Sequence, residues 1–423
     1  TGDTFCERGP RPVGSSPGSA TPEGVHDLAG NVAEWVGDWY GRYPEAKVAG
    51  PTGPQQGTLK VIRGGGFLDV GLALRTRART SAPPHLRSEN VGFRCASDGG
   101  EPAALPAGLV RGELGTLADE GRVAAPPRPP EVAPPELIAS GLNAPGAVVR
   151  RAGALVVAEA GTGTVIELSG DDRRVLHSGA RGPLALAVDG DRLYVAERAG
   201  GRILRLDAAT TVVAEGENGP SHVAAGHDEV AWATADAIRR ASGAGSAETL
   251  VGGLDGVAGL ALTATHVYFA EAGAADPTRA RLARVARGGG EADTLVDSGF
   301  FGTGAGSHQP TDVALAPDGS RLWFLVRLRG WPGSGFACHV AIVGGNPACV
   351  SYSPPYLDRL VVAGGALFWT TQRSVVSAPL SSPAPFRIPA TWTSPGGLAV
   401  DAESLVWTDR QSGRVYRVPR DGW

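Results

Sequence analysis

The C-terminal two thirds of the chain repeat one pattern of apolar and polar positions. A bulky apolar run of five residues recurs seven times, about every 42 residues, and a run of small apolar residues precedes most copies. The seven bulky runs are Leu155–Glu159, Leu193–Glu197, Val230–Thr234, Val267–Glu271, Leu322–Val326, Leu367–Thr371 and Leu405–Asp409. An alternating strand such as Arg202–Asp207 follows within a copy. The spacing predicts seven four-stranded blades of a β-propeller.

The two ends of the repeat region predict how the ring of blades closes. The last copy stops at Trp423 after three strands, whereas an isolated apolar strand, Glu136–Ser140, precedes the first copy. Pairing of that strand with the last copy would complete the seventh blade and leave no free sheet edge. The repeats resemble the YWTD and NHL-type propeller families, which implies the architecture and leaves the function open.

Composition agrees with a turn-rich β protein. The chain has 62 glycines and 33 prolines among 423 residues, as many tight turns require. The formal net charge is −4 without a basic block, so we expect no nucleic-acid partner. No apolar run approaches the roughly 20 residues that cross a bilayer, so we expect no membrane span.

A proline- and alanine-rich stretch divides the chain. Residues 101–133 favour extended polyproline geometry and read as a semi-rigid linker. The predicted organisation is therefore a first module over residues 1–100, the linker, and a propeller over residues 134–423.

The four cysteines predict two disulfides. Cys6 and Cys95 bracket the first module, and Cys338 and Cys349 lie within the propeller. Pairing within each module indicates an oxidising compartment, with free buried thiols as the alternative. We expect an extracytoplasmic location, which means secreted, periplasmic or at the cell surface.

The first module carries four short motifs in a fixed order. They are Gly24–Trp39 with its Gly-Asn-Val-Ala-Glu-Trp core, Val61-Ile-Arg-Gly-Gly-Gly-Phe67, Leu74-Arg-Thr-Arg-Ala-Arg79 and Val91-Gly-Phe-Arg-Cys-Ala96. This order resembles the C-terminal portion of the formylglycine-generating enzyme, or sulfatase-modifying factor, family. The resemblance implies an α+β fold akin to C-type lectins, so the predicted fold class is mainly β with this segment followed by the seven-bladed propeller.

The first motif offers hard oxygen ligands of the kind that calcium takes, because a glycine turn separates two carboxylates. The resemblance implies a structural calcium held by the side chains of Asp27 and Glu34 and by the carbonyls of Gly30 and Val32. The alternative is that both acids cap turns and pair with arginines.

The catalytic positions of the family are altered. Family enzymes oxidise a substrate cysteine with two cysteines that bind copper(I) as thiolates. Gly66 stands at the serine position of the family motif, Asp69 at the first cysteine, and Leu74, or Ala73 with a one-residue gap, at the second. We therefore expect neither copper nor a catalytic residue here. We also expect that the family's N-terminal half, upstream of these motifs, is missing from the sequence.

One face of the propeller is the predicted binding surface. The loops entering the first strands and the loops joining second to third strands open onto that face. Residues predicted to point there, as a binding surface or weak metal site, are Glu159, Glu197, His222, Glu271, Asp312 and Asp409. The alternative is that acidic strand ends only satisfy turn amides.

These features favour a bacterial extracytoplasmic binding or recognition protein. The first module would be degenerate and calcium-stabilised, and the propeller would bind an extracellular protein, peptide or polysaccharide. Two enzymatic alternatives stay open. One is a formylglycine-generating-type oxidase or related modifier completed by a missing N-terminal half, and the other is a propeller lyase or hydrolase that uses channel histidines and acids.

Overall fold

A computed structural model describes the first module in short stretches and the repeat region almost throughout. The described residues are 10–16, 18, 20–40, 53–56, 60–66, 74–76, 78–82, 84, 91–95, 135–242, 245–302, 307–328, 335–353, 358–371, 374–380, 387–391, 394–401 and 403–419. The predicted linker, residues 101–133, lies outside them. Within this part of the chain, no helix has the length and apolar character needed to cross a membrane.

The first module contributes one small sheet. Its strands are β1 (Ala33–Trp39), β2 (Lys60–Arg63), β3 (Thr80–Ala82) and β4 (Val91–Gly92), in the order β3-β2-β1-β4. β1 pairs antiparallel with β2 and parallel with β4, so three of the four sequence motifs meet on neighbouring strands. Ala33 and Ile62 are fully buried, which anchors the two central strands.

Seven four-stranded sheets form the repeat region, and their strands follow one another in chain order. Blade 1 contains β6 (Pro145–Arg151), β7 (Ala154–Glu159), β8 (Thr164–Ser169) and β9 (Asp172–Ser178). Blade 2 contains β10 (Pro183–Asp189), β11 (Arg192–Glu197), β12 (Arg202–Leu206) and β13 (Thr210–Glu215). Blade 3 contains β14 (His222–Gly226), β15 (Glu229–Ala233), β16 (Ala237–Ser242) and β17 (Glu248–Gly252).

The later blades repeat the same arrangement with longer insertions. Blade 4 contains β18 (Val257–Leu262), β19 (His266–Glu271), β20 (Arg281–Ala286) and β21 (Asp293–Val296). A 3₁₀ turn (Pro277–Arg279) and a one-turn helix (Ser298–Phe301) lie in its loops. Blade 5 contains β22 (His308–Leu315), β23 (Arg321–Leu328), β24 (Gly335–Ala341) and β25 (Ala348–Ser353). Blade 6 contains β26 (Leu360–Ala363), β27 (Ala366–Thr370), β28 (Ser374–Pro379) and β29 (Arg387–Thr391).

The seventh blade joins both ends of the repeat region. It contains β30 (Pro395–Val400), β31 (Ser404–Asp409), β32 (Arg414–Pro419) and, as its outer strand, β5 (Glu136–Ala139). Arg417 lies opposite Glu136 in the register and forms an ion pair with it at 2.8 Å. The first strands contact one another in a closed cycle, in which β30 contacts β6. The predicted seven-bladed ring and its closing strand are confirmed.

Bulky second strands fill the space between blades. The indole rings of Trp232, Trp323, Trp369 and Trp407 all lie on second strands and are buried. In the cluster between blades 5 and 6, Trp369 packs with Leu325 of the preceding blade. Hydrophobic burial between neighbouring sheets therefore helps to hold the ring together.

The cysteines follow the predictions only in part. Cys338 and Cys349 form a disulfide that links the paired strands β24 and β25. Cys95 carries a free, exposed thiol, so the predicted bridge to Cys6 is not formed in the structure. The other cysteines of the described part of the chain are bonded to each other, and Cys6 lies outside that part.

The closing strand predicts a sharp response to deletion. Removal of residues 134–142 from the full chain should expose the edge of β32 and remove the packing of Ile138 and Ala139, at a cost of roughly 2–4 kcal/mol. We expect a lower melting temperature by calorimetry and concentration-dependent association by light scattering. An equal deletion inside residues 101–133 is the control. A monomer that melts unchanged after the first deletion would contradict ring closure by β5.

Candidate functional site

Acidic side chains at the ends of second strands are buried in ion pairs. Glu197 receives Arg202 at 2.7 Å, and Glu159 receives Arg173 at 3.1 Å. Both carboxylates are nearly inaccessible to solvent, and each pairs with an arginine of its own blade. These acids stabilise the loop between the second and third strands.

The carboxylates of Glu271 and Asp409 are also buried against polar partners, and each has several. Glu271 binds Arg281 at 2.8 Å and Arg279 at 2.9 Å, and it accepts the Asp255 N–H at 2.8 Å. Asp409 accepts backbone N–H groups, including that of Gln411 at 3.1 Å. The geometry of all four acids favours the turn-satisfying alternative over an open acidic surface.

His222 and Asp312 belong to a different set of positions, which we call the channel ring. In every blade, one first-strand residue pairs with the middle residue of the second strand, as Leu186 pairs with Val195. The residue just before it occupies an equivalent place around the axis in all seven blades. The channel ring contains Ala147, Ala185, His222, Gly259, Asp312, Arg359 and Gly397.

Close approach of first strands explains the small members of the channel ring. A Cβ on Gly397 would lie 2.8 Å from the Cα of Ala147 in blade 1. A Cβ on Gly259 would lie 2.6 Å from the Val313 nitrogen and 2.8 Å from the Asp312 carboxylate. Blades 4 and 7 therefore carry glycine. Blades 1 and 2 carry alanine, and blades 3, 5 and 6 place a polar side chain here.

The buried carboxylate of Asp312 links blades 5 and 6 by a hydrogen bond. Its carboxylate accepts the Val313 N–H at 2.9 Å and the Leu360 N–H of blade 6 at 2.8 Å. Burial raises the pKa of Asp312 to about 7, although Arg359 and the two N–H groups act in the opposite direction. Asp312 can therefore gain or lose a proton near neutral pH.

His222 is surrounded by protein but keeps part of its surface open. Its Nδ1 lies 3.0 Å from the Ser221 hydroxyl, which leaves Nε2 for another partner. Burial, together with the positive charges of Arg359 and Arg198, lowers the pKa of His222 to about 3. The imidazole is thus neutral at physiological pH, because a second positive charge would be costly here.

Arginines surround the same mouth of the channel. The Arg198 N–H donates to the Gly182 carbonyl, so the loop after a second strand and the loop before the first strand share one face. The position after the second strand is Arg198 in blade 2, Arg327 in blade 5 and Arg410 in blade 7. Among the described residues, Arg181, Arg198, Arg327 and Arg359 form no ion pair with a carboxylate, and their guanidinium groups donate no hydrogen bond.

The sequence pattern missed Arg359 because its blade lacks the usual marker. A proline lies two residues before the channel ring position in blades 2, 3 and 5, as with Pro183 and Ala185. In blade 6 that place holds Leu357, and the nearest proline lies two residues earlier. Only the strand register aligns Arg359 with His222 and Asp312.

Two of the four predicted calcium residues, Asp27 and Glu34, contact the same arginine in the first module. The Glu34 carboxylate receives Arg94 through Nε at 2.6 Å and through Nη2 at 2.5 Å. Arg94 also donates to the carbonyls of His26 and Asp27, and the Asp27 carboxylate accepts the Gly14 N–H at 2.7 Å. Both acids thus use the contacts that the alternative interpretation predicts, and no cluster of three or more metal-binding side chains occurs among the residues described.

Comparisons with known proteins agree with the motif order. Residues 4–99 match the family model of the sulfatase-modifying factor enzyme 1-like domain. The first module carries a sulfatase-modifying-factor-type domain. The formylglycine-generating enzyme of Streptomyces coelicolor is 41% identical over 80 residues, which cover 18% of this chain and 26% of that protein. A mouse relative is named inactive C-alpha-formylglycine-generating enzyme 2; it is 36% identical over 98 residues, which cover 21% of this chain and 28% of that protein.

The matched segment is a small part of this chain and a small part of each relative. The chain spans about a quarter of the length of these curated relatives. Within the sulfatase-modifying-factor-type module, Gly66 is buried just after β2, and Leu74 is partly buried in a turn. Asp69 and Ala73 lie outside the described residues.

Solved structures with the same fold as the repeat region are β-propellers. Virginiamycin B lyase from Staphylococcus aureus superposes with a TM-score of 0.54 at 12% identity, covering 67% of this chain and 98% of that chain. A catalytically inactive form of the lyase with quinupristin gives 0.55 at 14% identity, with the same coverage. At this identity the likeness establishes the fold alone.

The ion pairs at second-strand ends predict a stability difference between two glutamates. Glu271→Ala should lower the free energy of unfolding by about 2–4 kcal/mol, because it leaves Arg279, Arg281 and the Asp255 N–H without their buried acceptor. Glu248→Ala is the matched control, because Glu248 is 60% exposed and its pair with Arg240 contributes at most about 1 kcal/mol. Urea unfolding measures both, and equal effects would contradict the structural role of Glu271.

Proposed function

We propose that this chain is an extracytoplasmic binding protein whose propeller holds a ligand at the channel ring. The single observation that carries the proposal is the placement of His222, Asp312 and Arg359 at three register-equivalent positions. The other four positions hold alanine or glycine, and at the two glycines a neighbouring first strand leaves no space for a side chain. A polar or charged residue there must be desolvated, and such a cluster in a concave site supports ligand binding.

The location outside the cytoplasm is supported by one structural feature. The Cys338–Cys349 disulfide joins two adjacent strands of blade 5, and structural disulfides persist mainly in oxidising compartments. The partner would be an extracellular protein, peptide or polysaccharide. The first module would contribute recognition without catalysis, because Gly66 and Leu74 replace groups that the family chemistry needs.

A second candidate function, a propeller lyase or hydrolase, is favoured by the protonation states in the channel ring. Asp312 can donate a proton near pH 7, and neutral His222 can hold a polar group of the ligand by a hydrogen bond. This candidate requires chemical conversion of the bound ligand, whereas the binding function requires its recovery unchanged.

The binding function predicts ligands that depend on Arg359. We expect a thermal-shift screen of sugars, organic acids and short peptides to find compounds that raise the melting temperature of the full chain and fail to do so with Arg359→Ala. Arg174→Ala is the matched control, because its guanidinium lies on outer strand β9 and is 67% exposed. Mass analysis of each recovered compound separates binding from turnover. A screen in which every stabilising compound acts equally on the Arg359 variant would overturn the channel site.

Calcium binding in the first module is part of the proposal. Arg94 already gathers the Glu34 carboxylate and the carbonyls of His26 and Asp27 around one cation, so the segment presents converging oxygen atoms. Oxygen ligands from carboxylates and carbonyls suit calcium, and the residues that would hold it are Asp27, Gly30, Val32 and Glu34. Bound calcium would fix the turn that precedes β1.

The calcium proposal predicts a chelator-sensitive first module. Excess chelator should lower the melting temperature of the sulfatase-modifying-factor-type module without changing the propeller transition, since a ligand held only by the native state stabilises it. Glu34→Gln should abolish this chelator effect, and Asp38→Asn on the same strand should retain it. Loss of the Arg94–Glu34 ion pair would lower the stability of the variant equally with and without chelator. The measured difference between the two conditions therefore reports calcium binding alone. A melting temperature that excess chelator leaves unchanged would contradict the calcium site.

A further inference from the structure

Several arginines at the channel mouth form no ion pair with a carboxylate. Elsewhere in the described propeller, most arginines pair with a carboxylate, as Arg202 does with Glu197. Arg181, Arg198 and Arg359 lack such a partner, and Arg359 acts electrostatically on both His222 and Asp312. The chain as a whole carries a net charge of −4, so this positive patch is local to the mouth.

Guanidinium groups without acids favour an anionic ligand of small charge. A carboxylate matches the planar fork of an arginine through two parallel N–H···O bonds. His222 is neutral and adds no charge, while its open Nε2 and the nearby Ser221 hydroxyl can form hydrogen bonds to polar groups beside the anion. The charge of the ring itself is therefore set by Arg359 and by the protonation of Asp312.

We infer that the channel mouth binds its ligand through one carboxylate group placed on Arg359, and that Asp312 takes up a proton as the ligand binds. This inference rests on the proposed function, which makes the channel ring the ligand site. An ionised Asp312 neutralises Arg359 and repels an incoming anion. A protonated Asp312 leaves the guanidinium charge available, so anion binding and protonation favour each other.

The groups around Asp312 fix the direction of the pH effect. Blade 6 contributes Arg359 and Asp358, while blade 4 faces the carboxylate with Gly259, which carries no charge. On its own strand, His308 is buried and neutral, because burial lowers its pKa to about 4. Asp312 is thus the group that titrates near neutrality here, with a pKa of about 7, and affinity should fall as the pH rises above that value.

Titration calorimetry on the full chain tests the inference with two matched ligand pairs. D-glucuronate is compared with D-glucose, and an acetylated dipeptide acid is compared with its amide. The pairs distinguish an acidic sugar from a peptide C-terminus as the source of the carboxylate. We expect one acid or both to bind and its neutral partner to bind at least about tenfold more weakly. Affinity should fall by up to about tenfold per pH unit above about 7.

Variants assign the effect to named groups. Arg359→Gln should abolish the preference for the acid over its neutral partner, whereas Arg174→Gln on outer strand β9 should leave it unchanged. Asp312→Asn should keep the acid preference and lose the pH dependence. If that variant does not fold, proton uptake by the wild-type chain, measured in buffers of different ionisation enthalpy, gives the same test.

Several results would contradict the inference, the proposed function or both. Binding of an acid without Arg359 dependence, or with affinity unchanged across neutral pH, overturns it. If both acids fail while a neutral compound from the stability screen binds through Arg359, the channel site stands and the carboxylate inference is wrong. If nothing in the screen depends on Arg359, the proposed function falls as well.

Discussion

Pairing of β5 with β32 is the interaction on which the rest of the propeller depends. It joins residues 281 positions apart through a strand ladder and the Arg417–Glu136 ion pair. Without it, blade 7 would lack an outer strand. The contact between the first strands of blades 7 and 1 would then be less stable. The circular arrangement in turn brings neighbouring first strands so close that the channel ring positions of blades 4 and 7 have no space for a side chain.

This steric constraint makes the exceptions informative. Gly259 and Gly397 avoid contact with a neighbouring strand, whereas Asp312 is accommodated because it accepts a backbone N–H from the next blade. An acid that only filled space would be replaced by a small residue without loss, since burying a carboxylate is unfavourable. Asp312 therefore has both a structural role between blades 5 and 6 and an electrostatic role toward Arg359.

The glutamates at the ends of second strands are paired within their own blades. Glu159, Glu197 and Glu271 end second strands, and arginines of the same blade neutralise each of them. Their occurrence in blades 1, 2 and 4 reflects a shared need to satisfy loop amides and arginines in those blades. The face they border is left with the charge of the unpaired arginines, so it is positive where the sequence pattern by itself indicates acids.

Periodicity determined the architecture, because a bulky strand every 42 residues or so can bury its side chains only between stacked blades. The incomplete last copy identified the closing strand, and the positions of the cysteines and the order of the short motifs identified the Cys338–Cys349 pair and the sulfatase-modifying-factor segment. Tertiary structure decided which polar residues share a site. Arg359 joined His222 and Asp312 through strand register across three blades, and the free thiol of Cys95 depended on exposure, which spacing along the chain does not encode.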